Sequence, residues 1–228
     1  MEIVCIIPAR GGSKGLPRKN IRRIAGLPLI AHSILQAKQA FSINRVYVST
    51  DDPEIASVAQ SYGADVISRP SEIAGDTASS ESALLDAVAT IEKMGPAPQL
   101  VVFLQCTSPL RKSSDIDRAI QQLCDENADS LLSVSPSHRF LWEKAGGSAK
   151  SINYDYANRK RRQELPEQFV ENGSIYVFKP WVLKQCNNRL GGKISLYCMK
   201  DEENFEIDSL LDFEIVEFLL SRRSQHDY

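Results

Sequence analysis

The sequence has no long apolar run and no excess of one charge. None of its 228 residues lies in a stretch approaching the roughly 18 to 20 apolar residues that a membrane span requires. Lys and Arg number 27 and Asp and Glu number 29, so the formal net charge of -2 gives no reason to expect nucleic acid or an anionic membrane as partner. The 43% hydrophobic and 25% charged fractions predict a folded, soluble protein.

Cysteine and histidine are scarce as well. The five cysteines are an odd number, are widely spread and include no CxxC pair, which argues against a disulfide framework and a structural zinc site. None of the three histidines is spaced from Ser or Cys as in a catalytic triad. The N-terminus has no basic region followed by a long apolar segment and a cleavage site. These absences predict a protein of the reducing cytoplasm.

Short apolar runs alternate with helical patterns along the first half of the chain. Residues 3–7 and 100–104 are continuously apolar, which is typical of parallel strands covered by helices on both faces. Between them the pattern predicts strands at 45–49 and 65–67 and helices at 28–40, 53–62 and 80–94. This βα rhythm predicts a three-layer α/β/α sandwich.

The rhythm changes between residues 135 and 179. This range contains Gly146-Gly147, short alternating segments and the basic run at 159–162, before a strand-like segment at 174–178. We interpret it as an arm inserted into a single domain that spans residues 1–228, for subunit contact or for capping a ligand. An amphipathic helix is predicted at 210–220.

The segment IPARGGSKGLPRKN, residues 7–20, follows the first predicted strand. Ligand sites in open α/β sheets lie at the carboxyl ends of strands, so this position favours a binding site. Glycines let the backbone approach a phosphate chain closely, and Arg10, Lys14 and Lys19 add positive charge. The loop is neither a Walker A motif nor a GxGxxG fingerprint. It therefore predicts a triphosphate site of another kind.

Further motifs follow this loop in order. They are STDDPEIA at 49–56, SRP at 68–70, DTASS at 76–80, LQCTSPLR at 104–111 and ENGSIYVF at 171–178. With the loop, they resemble the acylneuraminate (CMP-sialic acid) cytidylyltransferase family over nearly the whole chain. The resemblance implies a nucleotidyltransferase fold with a dimerising arm, hence a homodimer. It also implies transfer of CMP from CTP to the anomeric hydroxyl of a nine-carbon 2-keto sugar acid, with release of pyrophosphate.

The resemblance implies which side chains hold CTP. Arg10, Ser13 and Lys14 would bind its phosphates, and Lys14 would neutralise charge as pyrophosphate leaves. The nucleotide-binding set that it implies is Arg10, Gly12, Ser13, Lys14, Asn20, Arg69, Asp76 and Ser80. The implied catalytic residues are Lys14, Arg10 and Asp208. Asp76 and Ser80 have an alternative role as N-terminal caps of the helix predicted at 80–94.

The resemblance also implies an acceptor site, formed after the strand predicted at 100–104 and by the arm. Its residues are Gln105, Thr107, Ser108, Arg111, Arg162, Gln163 and Asn172. A guanidinium group in the arm suits the carboxylate of the acceptor, and Arg162 is the best match for it. The alternatives are a solvated basic face for the run at 159–162 and a plain turn for Ser108-Pro109.

Two carboxylates are predicted to hold the Mg²⁺, or Mn²⁺ in its place, that a triphosphate requires. Glu206 and Asp208 stand at i and i+2 of a short predicted strand, so both would face one side while Ile207 packs inward. Asp208 is the stronger candidate, because the family pattern has Asp where this chain has Glu206. Asp115 and Asp117 share the spacing but are assigned to a helix start, where acids complement the helix dipole.

Two departures from the family pattern leave the sugar open. Val170 stands where members that use sialic acid carry an Arg, and an arm Lys is replaced near Trp142. Legionaminate, pseudaminate and the eight-carbon 3-deoxy-manno-octulosonate therefore remain alternative acceptors. A non-catalytic nucleotide-binding module and a glycosyltransferase are alternatives of other classes. Lys14, Glu206 and Asp208 favour catalysis over the first, and a glycosyltransferase would be expected to carry a metal motif in mid-chain.

Overall fold

A computed structural model gives the structure of residues 1–12, 15–75 and 77–224. Its elements begin with β1 (Ile3–Pro8), β2 (Arg23–Ile24), β3 (Leu27–Pro28), α1 (Leu29–Gln39), β4 (Arg45–Thr50), α2 (Pro53–Ser61), β5 (Asp65–Ser68) and α3 (Ser80–Met94). They continue with β6 (Leu100–Leu104), α4 (Ser113–Asp125), β7 (Ser130–Pro136), β8 (Trp142–Ala145), β9 (Ser148–Ser151), β10 (Phe169–Phe178), α5 (Pro180–Cys186), β11 (Ile194–Cys198) and α6 (Leu210–Ser224). Turns of 3-10 helix lie at Lys19–Ile21, Ser71–Ile73, Arg162–Glu164 and Asp201–Glu203.

The central sheet has seven strands in the order β11-β7-β10-β6-β1-β4-β5. Its pairings are parallel except that β10 runs antiparallel to both of its neighbours. One apolar cluster packs α1, α2, α4 and α6 on one face, and a second packs α3 and α5 on the other. The predicted three-layer α/β/α sandwich is thus confirmed. Within the described ranges, no helix is long and apolar enough to cross a membrane.

The strands at the centre of the sheet follow the predicted apolar runs. All five residues of β6 are buried, and β1 is buried from Ile3 to Ile7. Because both faces of such strands are covered by helices, their side chains are apolar without alternation. The chain leaves β1 at Pro8 and enters the glycine-rich loop. The fold therefore places that loop at the carboxyl edge of the sheet.

Short polar side chains begin the helices that border this edge. Asp52 accepts hydrogen bonds from the backbone N–H groups of Glu54 (2.8 Å) and Ile55 (3.1 Å), which caps α2. Ser79 accepts one from the N–H group of Ser82 (3.1 Å), which caps α3. The capping role considered for Ser80 therefore belongs to Ser79, and Ser80 is the first residue of the helix.

The segment between β7 and β10 forms the arm. It contains the antiparallel hairpin of β8 and β9 and a group of aromatic rings around Tyr154, whose centroid lies 4.2 Å from that of Phe140 and 5.9 Å from that of Trp142. β10 pairs with β6 and β7, so residues 169–178 belong to the central sheet rather than to an insertion. The inserted segment is therefore 137–168, shorter than the predicted 135–179.

Candidate active site

A cavity of about 400 Å³ opens at the carboxyl ends of β1 and β6, between the glycine-rich loop, α3 and the segment that precedes α6. We call it the loop cavity. Its lining includes the predicted site residues Arg10, Asn20, Arg69, Ser80, Thr107 and Asp208, together with Gly15 and Lys19. These residues come from distant parts of the chain. They meet because the carboxyl ends of the parallel strands lie at the same edge of the sheet, where ligand sites of α/β proteins form.

The glycine-rich loop packs against the segment at 206–208. A Cβ atom on Gly15 would lie 2.6 Å from the Asp208 carbonyl oxygen, so only glycine permits this approach. At Gly12, a Cβ atom would meet nothing within 4 Å, so no steric reason requires glycine there. Ser13, Lys14 and Asp76 lie outside the described residues, and their roles stay predictions.

Asn20 and Arg10 connect the two ends of the loop. Asn20 is 7% exposed, and its Nδ2 donates to the Arg10 carbonyl oxygen (3.1 Å). The Arg10 Nη1 in turn donates to the Gly75 carbonyl oxygen (3.1 Å). Arg10 is thus fixed through both its backbone and its side chain, which presents a guanidinium group suited to phosphate oxygens.

Lys19 is the residue that the predicted site omits. Its Nζ donates to the Ile207 carbonyl oxygen (2.6 Å) and to Asp208 Oδ1 (3.2 Å), and its side chain is only 13% exposed. The sequence shows Lys19 as one of three cations in the loop, but the resemblance assigns only Lys14 and Arg10. The 3-10 turn at Lys19–Ile21 is what directs this side chain into the cavity.

Arg69 lies on the far side of the loop cavity. It is 8% exposed, and its guanidinium group donates to the Ser49 carbonyl oxygen (2.7 Å) and to Ser49 Oγ (3.2 Å), at the end of β4. Burial lowers the pKa of Arg69, although the nearby Asp51 carboxylate opposes that effect. Ser80 and Ala83 of α3 face the same space. Arg69 is therefore a rigid cation at the edge of a small polar compartment.

A second cavity, of about 520 Å³, lies beyond the segment at 206–208. We call it the β10 cavity. It is lined by Pro136, Ser137, His138, Arg139, Val170, Glu171, Asn172, Asp201, Asn204, Phe205 and Glu206. Asn172 is 2% exposed, its Oδ1 accepts from Ser133 Oγ (2.6 Å), and its Nδ2 donates to Ser135 Oγ (3.2 Å). Asn172, which is predicted to bind the acceptor, therefore stabilises the lining of the β10 cavity, because both ends of its amide group are already hydrogen-bonded to protein side chains.

Gln105 contacts Glu206, which lines the β10 cavity. With its amide group turned so that both ends have partners, Gln105 donates from its nitrogen to Glu206 Oε1 (2.9 Å) and to the Gly173 carbonyl oxygen (3.0 Å). Gly173 has φ +62, and a Cβ atom there would lie 2.1 Å from Glu206 Oε1, so glycine is required for this contact. Ser108 is 1% exposed, and its Oγ donates to the Asn172 carbonyl oxygen (3.4 Å).

Arg111 takes a different role from the predicted acceptor contact. It is 2% exposed, and its guanidinium group donates to Ser174 Oγ (3.0 Å), Ser33 Oγ (2.8 Å), Gln36 Oε1 (3.1 Å) and the Gln105 carbonyl oxygen. Burial lowers its pKa to about 10, so it remains charged at neutral pH. Because the side chains that Arg111 binds are in the protein interior, Arg111 lies beneath the site. Its hydrogen bond to the Gln105 carbonyl oxygen fixes the turn that carries Gln105.

The two candidate metal ligands face different cavities. Residues 206–208 form a loop rather than the predicted strand, and Ile207 is fully buried between its neighbours. Glu206 lines the β10 cavity, whereas Asp208 is 76% exposed in the loop cavity beside Lys19. Burial, and then the Asp208 charge, raise the pKa of Glu206. Asp208 is therefore the carboxylate that reaches the loop cavity.

The other Asp-x-Asp spacing has structural roles. Asp115 is 3% exposed and accepts hydrogen bonds from the Lys112 backbone N–H group (2.7 Å) and from Tyr197 (3.0 Å). Asp117 accepts from the backbone N–H groups of Phe41 (3.1 Å) and Ser42 (2.8 Å). The Asp115 contact agrees with the assignment to a helix start, whereas Asp117 joins α4 to the segment that follows α1.

The arm residues do not join the others within one chain. Arg162 lies in the turn at Arg162–Glu164 and lines a separate cavity of about 450 Å³, and Gln163 beside it is exposed. Residues 136–138 border both this cavity and the β10 cavity. The single chain therefore separates Arg162 and Gln163 from Gln105 by the wall that residues 136–138 form.

A mostly parallel sheet, with a cationic glycine-rich loop at its carboxyl edge and a carboxylate beside it, defines an α/β enzyme of the nucleotidyltransferase class. The sequence assigns the protein to a particular family within this class. The family model described as cytidylyltransferase matches residues 4–224, and the chain belongs to this family.

Three relatives are similar to this chain over nearly its whole length. The chain is 37% identical to post-translational flagellin modification protein B of Campylobacter coli, over 98% of this chain and 97% of the relative. It is 36% identical to the CMP-N,N'-diacetyllegionaminic acid synthase of Campylobacter jejuni, with the same coverage of each. It is 37% identical to N-acylneuraminate cytidylyltransferase A of Danio rerio over 95% of this chain, which spans 50% of that relative.

Solved structures share the fold. CMP:2-keto-3-deoxy-manno-octonic acid synthetase complexed with CTP superposes with a TM-score of 0.75 at 18% identity, covering 98% of this chain and 100% of the other. A 4-diphosphocytidyl-2C-methyl-D-erythritol synthase superposes with a TM-score of 0.71 at 15% identity, covering 96% and 98%. At these identities the similarity concerns the architecture alone.

Proposed function

We propose that the protein transfers CMP from CTP to the anomeric hydroxyl of a nine-carbon 2-keto sugar acid. The hydroxyl oxygen forms a bond to the α-phosphorus, the bond from that phosphorus to the pyrophosphate oxygen breaks, and the hydroxyl proton is lost. The products are a CMP-sugar and pyrophosphate. Family membership and relatives that are described as acting on acylneuraminate or diacetyllegionaminic acid support this acceptor class.

The observation that carries the proposal is the meeting of two cavities at residues 206–208. One has the cations and the carboxylate that a triphosphate requires, and the other is large enough for a sugar acid. Glu206 lines the second of these cavities and is in contact with Gln105. Reactants held on either side of residues 206–208 would face each other, and such positioning removes much of the barrier to a two-substrate reaction.

The loop cavity has the groups to bind CTP. Arg10 and Lys19 offer positive charge to the phosphates, and Ser13 and Lys14 are proposed to complete that set. Arg69, Ser80 and Asn20 border the remaining space, where the nucleoside would lie. Cations fixed before the reaction stabilise the charge that develops on the leaving pyrophosphate without further reorganisation.

The donor set fits a magnesium ion that is shared with the substrate. Among the described residues, no group of three or more His, Cys, Asp or Glu side chains could hold a metal ion by itself. Mg²⁺ is commonly bound by one or two carboxylates together with substrate phosphates, and Asp208 supplies one carboxylate in the loop cavity. Bound there, Mg²⁺, or Mn²⁺ in its place, would neutralise phosphate charge. Glu206, which faces the other cavity, would act on it at most through water.

The test of this function is pyrophosphate release from CTP with a panel of acids. The panel contains N-acetylneuraminate, legionaminate, pseudaminate, the deaminated nine-carbon acid and 3-deoxy-manno-octulosonate. We expect release with at least one nine-carbon acid, dependent on Mg²⁺ and on CTP, with ATP as the negative control. Binding of CTP without release from any acid would contradict the proposal and favour a non-catalytic nucleotide-binding module.

We also propose that the protein is a homodimer of the cytoplasm, in which the arm of one subunit completes the acceptor site of the other. The arm exposes apolar side chains, among them Leu141, Trp142 and Tyr156, and its Arg162 does not reach the β10 cavity of its own chain. A partner's arm would bring that guanidinium group to the carboxylate of the acceptor. The five free cysteines are consistent with a reducing compartment.

Mixed dimers test the exchange of arms. Asp208→Asn and Arg162→Ala should each lower activity alone, whereas a heterodimer of the two has one site with an intact cavity and an intact arm. We expect random mixing after dissociation to restore roughly a quarter of wild-type turnover, because half of the dimers are then mixed and each has one complete site. No recovery on mixing, or a monomer of full activity, would contradict the exchanged arm.

A further inference from the structure

Glu171 is a carboxylate of the β10 cavity that neither the predicted site nor the proposed mechanism uses. It is exposed and lines the cavity beside Val170 and Asn172. The hydroxyl group of Tyr176, five residues further along β10, donates a hydrogen bond to Glu171 Oε1. Tyr176 itself is 2% exposed and belongs to the core beneath the cavity.

An irregularity in β10 makes this contact possible. In a regular strand, residues five apart point to opposite faces of the sheet. Here Glu171 pairs with Val134 and Tyr176 pairs with Leu132, so β10 advances by five residues while β7 advances by two. The extra residues form a bulge around Gly173, which brings Glu171 and Tyr176 within hydrogen-bond reach.

Side-chain hydrogen bonds hold the bulge in place. Asn172 Oδ1 accepts from Ser133 Oγ (2.6 Å) and from the Ser174 backbone N–H group (3.2 Å). Ser133 Oγ also accepts from the Ile175 backbone N–H group (2.8 Å). Side chains thus satisfy two backbone N–H groups of the bulge, those of Ser174 and Ile175, which makes the bulge a fixed feature of the fold.

Tyr176 is held by contacts to its ring as well as to its hydroxyl group. Its ring stacks on that of Phe103, with 5.2 Å between centroids, and the Arg189 guanidinium group lies 4.5 Å from its centroid. Glu81 Oε1 lies 3.6 Å from Arg189 Nη1 and balances its charge. Burial, together with the hydrogen bond to Glu171, raises the pKa of Tyr176, so its hydroxyl remains a proton donor throughout the neutral range.

A carboxylate held in this way is a fixed hydrogen-bond acceptor. An ionised carboxylate has about four lone-pair positions on two oxygens, and Tyr176 occupies one. The remaining positions are available to a donor in the cavity. The chemistry recognised is an O–H or N–H group of the acceptor, since an anionic group of the sugar acid would be repelled by Glu171.

We propose that Glu171 is a specificity-determining residue that accepts a hydrogen bond from a hydroxyl or acylamino group of the sugar acid, and that Tyr176 is the positioning residue that fixes its carboxylate. The inference rests on the proposed function, because it treats the β10 cavity as the acceptor site. The inference adds that the recognised group of the acceptor is an O–H or N–H donor, and that this donor lies beside Glu171 in the β10 cavity.

Steady-state kinetics of three single variants tests the assignment. We expect Glu171→Ala and Tyr176→Phe each to raise the KM for the acceptor roughly tenfold, with kcat and the KM for CTP within about twofold of wild type. Tyr197→Phe is the matched control. Its hydroxyl also donates to a carboxylate, Asp115 Oδ1 at 3.0 Å, in a part of the fold that lines neither cavity. It should alter the stability but not the KM for the acceptor.

The double variant and the acid panel sharpen the outcome. If Tyr176 acts through Glu171, adding Tyr176→Phe to Glu171→Ala should change the KM for the acceptor by less than about twofold. Loss of the Glu171 effect with the deaminated acid would assign the donor to the acylamino group. Its retention would assign the donor to a hydroxyl group, which in the deaminated acid includes the one that replaces the acylamino group.

Two failures are distinguishable. An unchanged KM for the acceptor in both Glu171→Ala and Tyr176→Phe, with an active wild-type enzyme, would overturn this inference and leave the proposed function intact. An equal rise in that KM with Tyr197→Phe would also overturn it, because the effect would then be one of general stability. A wild-type enzyme that turns over no acid would contradict both the proposed function and the inference that rests on it.

Discussion

Asp208→Asn is expected to lower kcat by at least about 100-fold, because it removes the charge that would hold a metal ion against the substrate phosphates. Asp208 is the exposed carboxylate of the loop cavity, 3.2 Å from Lys19 Nζ. The substitution keeps the shape of the side chain, so the fold should be unaffected. Turnover measured across a Mg²⁺ titration should also show half-maximal activity at a higher Mg²⁺ concentration, which loss of the ion pair with Lys19 alone would not cause.

Asp117→Asn is the matched control for this experiment. The Asp117 carboxylate caps backbone N–H groups at Phe41 and Ser42, so this variant should lose about 1 kcal/mol of stability and keep its kcat. Asp208→Asn with wild-type turnover and wild-type Mg²⁺ dependence would remove Asp208 from the mechanism. A loss confined to Asp117→Asn would transfer the metal assignment to α4.

Arg111→Met is expected to lower the free energy of unfolding by about 3–5 kcal/mol, since it leaves several buried acceptors without a partner. Those acceptors lie on Ser33, Gln36, Gln105 and Ser174. Methionine fills much of the same volume, so the loss would reflect the missing hydrogen bonds more than a cavity. Urea unfolding, with comparison of the midpoint and the m-value, measures the change.

Arg118→Met provides the contrast for Arg111. The Arg118 guanidinium group binds the Asp115 carboxylate and the Tyr197 hydroxyl group, but its side chain is 62% exposed, so we expect a change within about 1 kcal/mol. If Arg111→Met were as stable as wild type and had a higher KM for the acceptor, the sequence-based role of Arg111 in acceptor binding would be restored.

The strands of the sheet are predictable from sequence where burial on both faces requires every residue to be apolar. β6 coincides with the predicted run, and β1 extends it by one residue, because strands buried on both faces must be apolar throughout. The direction of β10 has no such signature. It follows from pairing with β6 and β7, which are distant in sequence, so a strand-like segment next to the arm is easily assigned to the arm itself.

The candidate site is predictable to the extent that strand ends determine it. Arg10, Asn20, Arg69 and Asp208 meet because their segments reach the same edge of the sheet or pack against it. The interior role of Arg111 depends on hydroxyl and amide groups from two distant segments, α1 and β10, and no local pattern indicates it. A motif therefore indicates that a residue matters, whereas packing decides what it touches.

The segment at 206–208 lines both cavities, one through Glu206 and the other through Asp208, and it is anchored by the backbone hydrogen bond from Ile207 to Thr107 (2.9 Å). Substitutions that reshape Glu206 to admit another sugar would move Asp208 as well, because only Ile207 lies between them. Attempts to change the acceptor range by directed evolution should therefore succeed more often at Val170 and Glu171, which border the β10 cavity alone. At Val170 and Glu171, substitutions can change which acceptors are used without moving Asp208. At Glu206, a substitution that admits a new acceptor would also lower the turnover rate, because it would displace Asp208.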